Sequence, residues 1–362
     1  MALIDSPIAT TKRPSLARKW GRRLAKIAGH GILGLFVLAV LAMTFTVGWR
    51  PVIGAKKRPL TSRKFQSSPE RMHRGEYLVH AVAKCMGCHS KYEEKAEHQK
   101  GEPPALLSKE GAGAVLFESA EAGVRIVGPN LTSDPETGLG KWSDDAIARA
   151  IREGIADDGH ALFPLMPYEH FRIMSDEDLA SVVVFLRSLP PVRNELPPAK
   201  IPFLFARLTL GVPQPVTEPV PEPDRLTPAT QGAYLAKLGT CTDCHTPRNS
   251  RFQPIPELEM AGGTPMGWGD GAATANLTPD ASGIVYYDEA QFIEAIRTGY
   301  VGARTLNSAM PWWEFRNMTD DDLKAVFAWL RTLKPRHHKV DNTEPPTLCK
   351  LCGKKHGFGD RN

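Results

Sequence analysis

The chain has 362 residues, of which 31 are proline and 31 are glycine, so it is long enough for two or three domains with a large share of loops. Its formal net charge is +5, but eleven of its 45 Lys and Arg residues lie within residues 1–58, against one acidic residue, Asp5. The remainder carries 34 basic and 39 acidic residues (45 − 11 and 40 − 1). This distribution argues against nucleic acid as a partner and favours docking of the acidic part to a basic protein.

Residues 27–49 contain no charged side chain and can cross the hydrocarbon core of a bilayer, about 30 Å thick. Seven basic residues precede them, so the positive-inside rule predicts a cytoplasmic N-terminus (1–26) and a single-pass anchor in lipid, with Trp49 at the outer interface. The alternative is a signal peptide cleaved near residues 39–42, although the apolar stretch is longer than such peptides usually have. In both cases the chain after residue 50 is predicted to be periplasmic, where thiols are expected to be bonded.

The strongest organisational signal is an internal repeat. NLTSDPETG at 130–138 and MPYEHFRIMSDEDL at 166–179 recur as NLTPDASG at 276–283 and MPWWEFRNMTDDDL at 310–323. The offset between copies is 156 at the first cysteines, 146 at NLT, and 144 from MP onward. A register that slips only between blocks predicts a duplicated domain, with the main insertion within residues 90–129 of the first copy.

Cap residues mark the helices of each copy. Ser143 and Asp288 are the predicted N-caps of two helices that contain the sequence AIR, and Gly154 and Gly299 are predicted to end them. The last helix of each copy is predicted to begin with a capping box in which Asp replaces Glu. The paired residues of these boxes are Ser175 with Asp178 and Thr319 with Asp322.

No segment alternates convincingly between apolar and polar residues, so the sequence predicts helices and no strands. Eleven prolines within residues 190–228 predict a semi-rigid, extended linker wrapped over the surface. Short helices joined by long loops give a poor apolar core. A large flat cofactor would supply the missing core.

CMGCH at 85–89 and CTDCH at 241–245 both match the attachment pattern of c-type haem. Positions i, i+3 and i+4 share one face of a helical turn, so two thiols can bond the vinyl groups while the next imidazole binds the iron. A zinc knuckle or a disulfide is the alternative for one motif, but two copies in an exported repeat disfavour it. Two covalent haem c groups are therefore predicted, on Cys85, Cys88 and His89 and on Cys241, Cys244 and His245.

The other axial ligand decides the function, because methionine closes the iron and raises its potential for electron transfer. Met166 and Met310 each precede a proline at equivalent positions, 77 and 65 residues after the motif histidines, and are the predicted distal ligands. Met174 and Met318, eight residues later, are interpreted as residues that pack at a helix start. Two histidines near Met166 are not repeated and are interpreted as surface loop residues: His160 and His170.

A main-chain carbonyl can orient a haem ligand through the second nitrogen of its imidazole. The carbonyl of Pro129, within GPNLT, is a candidate acceptor for His89 Nδ1. The second copy has Ala275 in place of this proline, which argues against a role shared by both copies.

The C-terminal tail holds the last two cysteines, Cys349 and Cys352. His356 follows Cys352 by four residues, so the haem pattern is broken. In an exported protein the first interpretation is a disulfide. A small zinc site that adds His356 and either His337 or His338 is the second, and a tail that docks to a partner is the third.

The order of CxxCH, NLT, AIRxG, MPY or MPW, and a DEDL-type helix ending in FLRSLPPV resembles the membrane-bound multihaem cytochrome c subunits of periplasmic alcohol, aldehyde and gluconate dehydrogenases. The resemblance covers about residues 70–340. It implies a mainly α fold, with two tandem class I cytochrome c domains after a single N-terminal transmembrane helix. It also implies electron transfer from a periplasmic dehydrogenase to quinone or a terminal oxidase. The implied iron ligands are His89, Met166, His245 and Met310.

The chain departs from that family in two respects. The family's subunits usually carry three haems and a cleaved signal, whereas here two haems and an N-terminal anchor are predicted, so membership of another respiratory complex stays open. The predicted divisions are a basic cytoplasmic N-terminus (1–26), a transmembrane anchor (27–49), a linker (50–68), a first domain (69–189), a Pro-rich linker (190–228), a second domain (229–338) and a tail (339–362).

Three functions are compatible with two haems. The first is an anchored electron carrier in the inner membrane, a non-catalytic subunit with redox proteins as partners. The second is a dihaem enzyme of the peroxidase or thiosulfate dehydrogenase type, and the third is a haem-based gas sensor. The last two need an open iron, and the methionine in both copies favours the carrier.

Overall fold

The computed structural model describes residues 16–46, 48–93, 103–224, 226–250, 252–266, 272–307 and 309–362. Residues 1–15 of the predicted cytoplasmic segment therefore lie outside the described residues. The chain divides into two compact units, Met1–Gly54 and Ala55–Asn362.

The described residues of the first unit form a long helix, α1 (Leu16–Phe45), and a short helix, α2 (Arg50–Ile53). Within α1, Arg23–Phe45 is long and apolar enough to cross a membrane, by length and composition. The helix ends at Phe45, four residues before the predicted end of the anchor at 49. Gly48 follows with a φ of 72°, a conformation that ends helices.

The helices of the second unit form two matching series. The first copy has α3 (Pro69–Tyr77, continued by a π-helical turn over Leu78–Val82), α4 (Cys85–His89), α5 (Asp144–Glu153), α6 (Tyr168–Phe171) and α7 (Asp176–Ser188). The second copy has α9 (Pro228–Leu238), α10 (Cys241–His245), α11 (Glu289–Thr298), α12 (Trp312–Phe315) and α13 (Asp320–Thr332), with α8 (Phe203–Leu208) between the copies. The mainly α prediction is confirmed.

The prediction that the chain has no strands is wrong. The insertion in the first copy contains an antiparallel hairpin of β1 (Ala114–Ser119) and β2 (Val124–Gly128). The sequence of this hairpin shows little alternation between apolar and polar residues, because neither face of its two strands is well buried. Gly128 ends β2 against the first motif, where a Cβ would lie 1.8 Å from the Cys88 carbonyl oxygen. Two smaller hairpins pair β3 (Tyr300–Val301) with β4 (Arg304–Thr305) and β5 (Pro346–Leu348) with β6 (Lys355–Gly357).

The predicted caps of the AIR helices are confirmed. The Ser143 side chain accepts a hydrogen bond from the backbone of α5, and Asp288 forms a full capping box with Gln291. Gly154 and Gly299 end these helices with φ of 70° and 73°, in the left-handed region that glycine adopts without strain.

Only half of each predicted Asp capping box forms. Ser175 Oγ accepts from the Asp178 N–H at 3.0 Å, as predicted. The Asp178 carboxylate, however, does not return to the cap but accepts from the hydroxyl of Tyr234 at 2.7 Å. That hydroxyl in turn accepts from the Ser175 N–H at 3.1 Å. A tyrosine of the second copy thus completes a helix cap of the first.

An equivalent contact runs in the opposite direction, from a tyrosine of the first copy to a helix cap of the second. The hydroxyl of Tyr77 donates to the carboxylate of Asp322 at 2.6 Å and accepts from the Thr319 N–H at 3.3 Å. Tyr77 and Tyr234 occupy equivalent places in RGEY and QGAY. The two copies are therefore joined by the same contact made twice, once in each direction.

The first and last helices of each copy pack in direct backbone contact. A Cβ on Gly75 of α3 would lie 2.0 Å from the Ser181 carbonyl oxygen in α7. A Cβ on Gly232 of α9 would lie 1.9 Å from the Ala325 carbonyl oxygen in α13. The absence of a side chain at these two positions is what allows the helices to cross so closely.

One hydrophobic core serves both copies. Its buried members include Leu78 and Leu179 from the first copy and Leu235 and Leu323 from the second. Met174 and Met318 belong to this core with 1% and 5% exposure, which confirms their predicted packing role. The shared core makes residues 55–362 one compact unit, and a division into two separate domains stays a prediction.

The Pro-rich segment 190–228 lies along the first copy. The N–H of Asp176 donates to the carbonyl of Val220 at 2.8 Å, and Arg172 donates to the carbonyl of Gln214 at 2.7 Å. It is not extended throughout, since it contains the helix α8.

Gly232→Ala is expected to destabilise the protein. An alanine in a helix interior would otherwise stabilise by about 0.5–1 kcal/mol, but the added methyl overlaps the Ala325 carbonyl. We expect urea unfolding, followed by circular dichroism, to show a loss of about 1–3 kcal/mol. Lys237→Ala, on the exposed side of the same helix, is the control. A Gly232→Ala protein as stable as the parent would contradict the close crossing.

Candidate functional site

Both Cys-x-x-Cys-His motifs fold as one-turn helices, α4 and α10. Each follows a residue in the left-handed region, Lys84 with a φ of 55° and Thr240 with a φ of 58°. These residues end the preceding helix and start a new one at the first cysteine. The four motif cysteines are not joined to one another by disulfides.

The motif histidines are held in the same way in both copies. His89 Nδ1 donates to the carbonyl of Pro129 at 2.7 Å, and His245 Nδ1 donates to the carbonyl of Ala275 at 2.8 Å. The hypothesis made for Pro129 is therefore confirmed and extends to the second copy, because the acceptor belongs to the main chain. With the proton fixed on Nδ1, Nε2 is left as the nitrogen that can bind a metal.

Burial sets the protonation of these groups. It lowers the pKa of His89 and His245 below the usual value of histidine, which favours the neutral imidazole that binds iron. Burial also raises the pKa of Cys85 to about 12 and that of Cys241 to about 11. Catalytic Cys-x-x-Cys pairs have lowered thiol pKa values, so these turns do not resemble thiol–disulfide centres. They fit thioether attachment.

The asparagine of NLT holds the loop whose carbonyl binds the histidine. Asn130 is buried, and its Nδ2 donates to the carbonyl of Val192 at 2.7 Å while its Oδ1 accepts from the Thr132 N–H at 2.9 Å. The same bonds recur among Asn276, Arg336 and Thr278. The sequence identifies NLT only as a repeat. In the structure, its asparagine holds the loop that carries the carbonyl bound by the motif histidine.

Met166 and Met310 lie in equivalent turns, partly buried against the shared core. The Met166 N–H donates to the Phe163 carbonyl at 3.1 Å, and the Met310 N–H donates to the Asn307 carbonyl at 2.9 Å. Their role as distal ligands stays a prediction.

The AIR arginines brace the segments that follow these methionines, a role that sequence reasoning missed. Arg152 is buried and donates to the Asp176 carboxylate at 2.6 Å and to the Met174 carbonyl. Arg297 donates to the carboxylate of Asp320 at 2.5 Å. The repeated Arg before a capping Gly was the available signal.

The capping glycines also fit the aromatic residue that follows each Met-Pro. A Cβ on Gly154 would lie 2.5 Å from the ring of Tyr168, and one on Gly299 would lie 2.5 Å from the ring of Trp312. The two rings are fully buried. Each Met-Pro turn is thereby fixed to the end of its AIR helix.

The two Cys-x-x-Cys-His turns contact each other. Lys84, the residue before Cys85, donates from Nζ to the Gly239 carbonyl at 2.9 Å and to Thr240 Oγ1 at 3.2 Å. Thr240 directly precedes Cys241. The residues that directly precede Cys85 and Cys241 are therefore in contact with each other.

The interpretation of His170 as a surface loop residue is wrong. Its side chain is 13% exposed, and its Nε2 lies 2.9 Å from Asp243 of the CTDCH turn. His170 belongs to the first copy and Asp243 to the second, so the local pattern of either copy could not predict this contact. His160 is exposed beside Asp158, as predicted.

Glu314 occupies the place in the second copy that His170 has in the first. It is 6% exposed and accepts a hydrogen bond from the N–H of Gly87, in the CMGCH turn. A Cβ on Gly87 would lie 2.6 Å from its carboxylate oxygen. Burial raises the pKa of Glu314 to about 8, while the Lys84 ammonium opposes the shift. The carboxyl is therefore mostly neutral at pH 7.

The motif, its histidine and its loop bonds agree with a comparison to known families. The family model for cytochrome c matches residues 73–190. The chain contains a cytochrome c domain. The matched range holds the first CxxCH turn and Met166, and the second copy repeats the same bonds.

Curated relatives extend the similarity to both copies. The chain is 30% identical over 346 residues to a nicotinate dehydrogenase subunit of Pseudomonas putida, covering 91% of this chain and 26% of that protein. It is 29% identical over 289 residues to the gluconate 2-dehydrogenase cytochrome c subunit of Pantoea cypripedii, covering 74% and 60%. It is 28% identical over 289 residues to a diheme cytochrome c-type protein of Cereibacter sphaeroides, covering 75% and 90%.

The chain thus spans about a quarter of the first of these relatives and three fifths of the second. It resembles cytochrome c subunits of dehydrogenases, and its residues 73–190 match the cytochrome c family.

Glu314→Gln is expected to change the pH dependence of stability. A raised pKa means that the folded state binds a proton that the unfolded state, with its pKa near 4.5, releases. This contribution is complete below pH 4.5 and is lost as the pH rises through about 8. Between pH 5 and 8 the parent should lose up to about 1.4 kcal/mol per pH unit relative to the variant.

Urea midpoints at several pH values measure this difference directly. Glu289→Gln, an exposed change on α11, is the control and should follow the parent at every pH. Parallel curves for Glu314→Gln and the parent would contradict a buried neutral carboxyl.

Proposed function

We propose that the protein is a membrane-anchored dihaem cytochrome c that transfers single electrons as a subunit of a dehydrogenase or respiratory complex. Its two tandem domains, 69–189 and 229–338, would each be a class I cytochrome c. The proposal is supported by the cytochrome c domain and by a relative named as a diheme cytochrome.

The observation that carries the proposal is the equality of the two proximal sites. Both histidines donate from Nδ1 to a carbonyl that a buried asparagine loop holds in place. The same histidine hydrogen bond in both copies favours two haem c groups over one haem and one motif that has lost its function. The groups would be held by Cys85, Cys88 and His89 and by Cys241, Cys244 and His245.

Haem iron supplies a one-electron couple. The protein's part is to fix the iron ligands, exclude water and bring the two sites together. Met166 and Met310 would close the irons, so that electrons pass without exchange of a ligand. The Lys84 contact between the two turns supports transfer from one haem to the other within one molecule.

The predicted anchor and the named relatives support a membrane location and a dehydrogenase as the electron donor. Segment 27–49 would hold the chain in the inner membrane, with the N-terminus in the cytoplasm and the haem domains in the periplasm. The donor would be a periplasmic dehydrogenase, since relatives are named as subunits of nicotinate and gluconate dehydrogenases. The acceptor would be quinone, an oxidase or another respiratory complex.

The decisive experiment counts haems and open irons. Purified full-length protein should contain two covalent haems per chain by pyridine haemochromogen and should show no spectral response to CO after reduction. A response from one haem would favour the enzyme or sensor alternative. A single haem per chain would overturn the dihaem proposal.

Met166→Leu tests the distal ligand with little change in packing volume. Leucine cannot bind iron, so one of two haems should become high-spin and bind CO when reduced. Met174→Leu, the neighbouring buried methionine, is the matched control and should leave both haems low-spin. Two low-spin haems in the Met166→Leu protein would show that another residue is the ligand.

A further inference from the structure

The tail forms a second cluster of metal-binding residues. The ligating atoms of His338, Cys349, Cys352 and His356 all lie within 4.8 Å of one another. None of these side chains is more than 3% exposed. His337, the other histidine considered from the sequence, is exposed and lies beside Asp280, so it does not belong to the cluster.

The hairpin β5–β6 is folded as a metal-binding knuckle. Cys349 and Cys352 lie in its turn, and His356 lies on the second strand. The Cys349 N–H donates to the Lys354 carbonyl at 2.8 Å, and Gly353, with a φ of 68°, returns its N–H to the Cys349 carbonyl at 2.9 Å. This backbone directs both thiols to the same side. It leaves them free rather than bonded to each other.

The imidazoles point their unprotonated nitrogens at each other. His338 Nδ1 lies 2.9 Å from the Ala261 carbonyl, and His356 Nδ1 lies 3.0 Å from the Gly357 carbonyl. A carbonyl only accepts, so both Nδ1 atoms carry the proton and both Nε2 atoms present lone pairs. These Nε2 atoms are 3.1 Å apart. Two facing lone pairs repel each other unless a cation lies between them.

The spacing suits zinc. Zn–N bonds of about 2.0 Å and Zn–S bonds of about 2.3 Å at a tetrahedral angle place two nitrogens about 3.3 Å apart and a nitrogen and a sulfur about 3.5 Å apart. The two Nε2 atoms are 3.1 Å apart, and Cys349 Sγ lies 3.4 Å from His338 Nε2. Two thiolates and Zn²⁺ also cancel in charge, which a fully buried site requires.

We propose that His338, Cys349, Cys352 and His356 bind one structural zinc ion in a closed tetrahedral site. Two thiolates and two imidazoles fill every position, so the site holds the tail and has no place for a substrate. Thiolate and imidazole donors in this geometry favour zinc over harder divalent metals. The two thiol protons are released when the metal binds.

The first copy shows what His338 would do without a metal. Asn194, at the same offset of 144 residues, donates from Nδ2 to the Ala112 carbonyl at 2.7 Å, as His338 donates to Ala261. An asparagine is therefore sufficient for this bond. Histidine adds only a second nitrogen, and that nitrogen faces the cluster.

The zinc site adjoins the second haem-attachment turn. Ala261 accepts from His338, and the next residue, Gly262, donates its N–H to the His245 carbonyl at 2.8 Å. The carbonyl of His338 accepts from Asn276, in the loop whose Ala275 carbonyl binds His245. Zinc would therefore fasten the tail to the backbone on both sides of a haem ligand.

The test begins with metal analysis of the full-length holoprotein. After dialysis against EDTA it should retain one zinc per chain, and X-ray absorption at the zinc edge should show two sulfur and two nitrogen ligands. Denaturation with EDTA should then release two titratable thiols, because the other four cysteines are expected as thioethers. No thiols and no zinc would mean that Cys349 and Cys352 form a disulfide, which overturns the proposal.

His338→Asn is the sharpest variant. It keeps a donor for the Ala261 carbonyl, as Asn194 does in the first copy, and removes one zinc ligand. We expect loss of zinc and faster proteolysis of residues 339–362, with both haems still attached. His337→Ala is the matched control and should retain the metal.

Two outcomes would show that zinc is adventitious only: removal by EDTA from the parent protein, or equal zinc in the parent and His338→Asn proteins. Neither readout depends on electron transfer. A protein with the expected zinc but one haem would overturn the dihaem proposal alone, and one with two haems but no zinc would overturn the metal site alone.

Discussion

The rest of the structure depends on one interaction, the hydrogen bond from imidazole Nδ1 to a main-chain carbonyl. It recurs at His89, His245 and His338, with donor–acceptor distances of 2.7–2.9 Å. Each bond fixes the tautomer, so Nε2 is the nitrogen offered to a metal. Since the acceptor is a backbone atom, the side chain at that position is free to vary. The buried residues Asn130 and Asn276 hold the loops that carry two of these carbonyls.

The second constraint is that neither copy is complete alone. Tyr77 and Tyr234 each finish a helix cap in the other copy, and Lys84 crosses between the attachment turns. Without Tyr234, the buried N–H of Ser175 would lose its acceptor, at a cost of about 1–3 kcal/mol, whereas Asp178 would keep its ion pair with Arg74. The two copies therefore form one compact unit. For an electron carrier this has a direct consequence, because the relation between the two sites is fixed by packing and not by the linker.

Local chemistry was readable from the sequence, and contacts between copies were not. The helix caps at Ser143 and Asp288 and the packing of Met174 depend on near neighbours and were predicted correctly. The capping box at Ser175 was only half right because the Asp178 carboxylate accepts from Tyr234 and Arg74 instead of from the cap backbone. His170 was misread for the same reason. Its partner lies 73 residues away, in the other copy.

The two copies differ in the residues that pack against their Cys-x-x-Cys-His turns. His170 pairs with Asp243 in the second turn, whereas at the equivalent position the mostly neutral carboxyl of Glu314 packs against Gly87 in the first turn. The two attachment turns therefore share their proximal bonds but differ in the groups packed against them. Under the proposed function, these different neighbours would give the two irons different reduction potentials, and such a difference would favour electron transfer in one direction. The same logic holds at Asn194 and His338, where one substitution leaves a structural bond intact and adds a metal ligand.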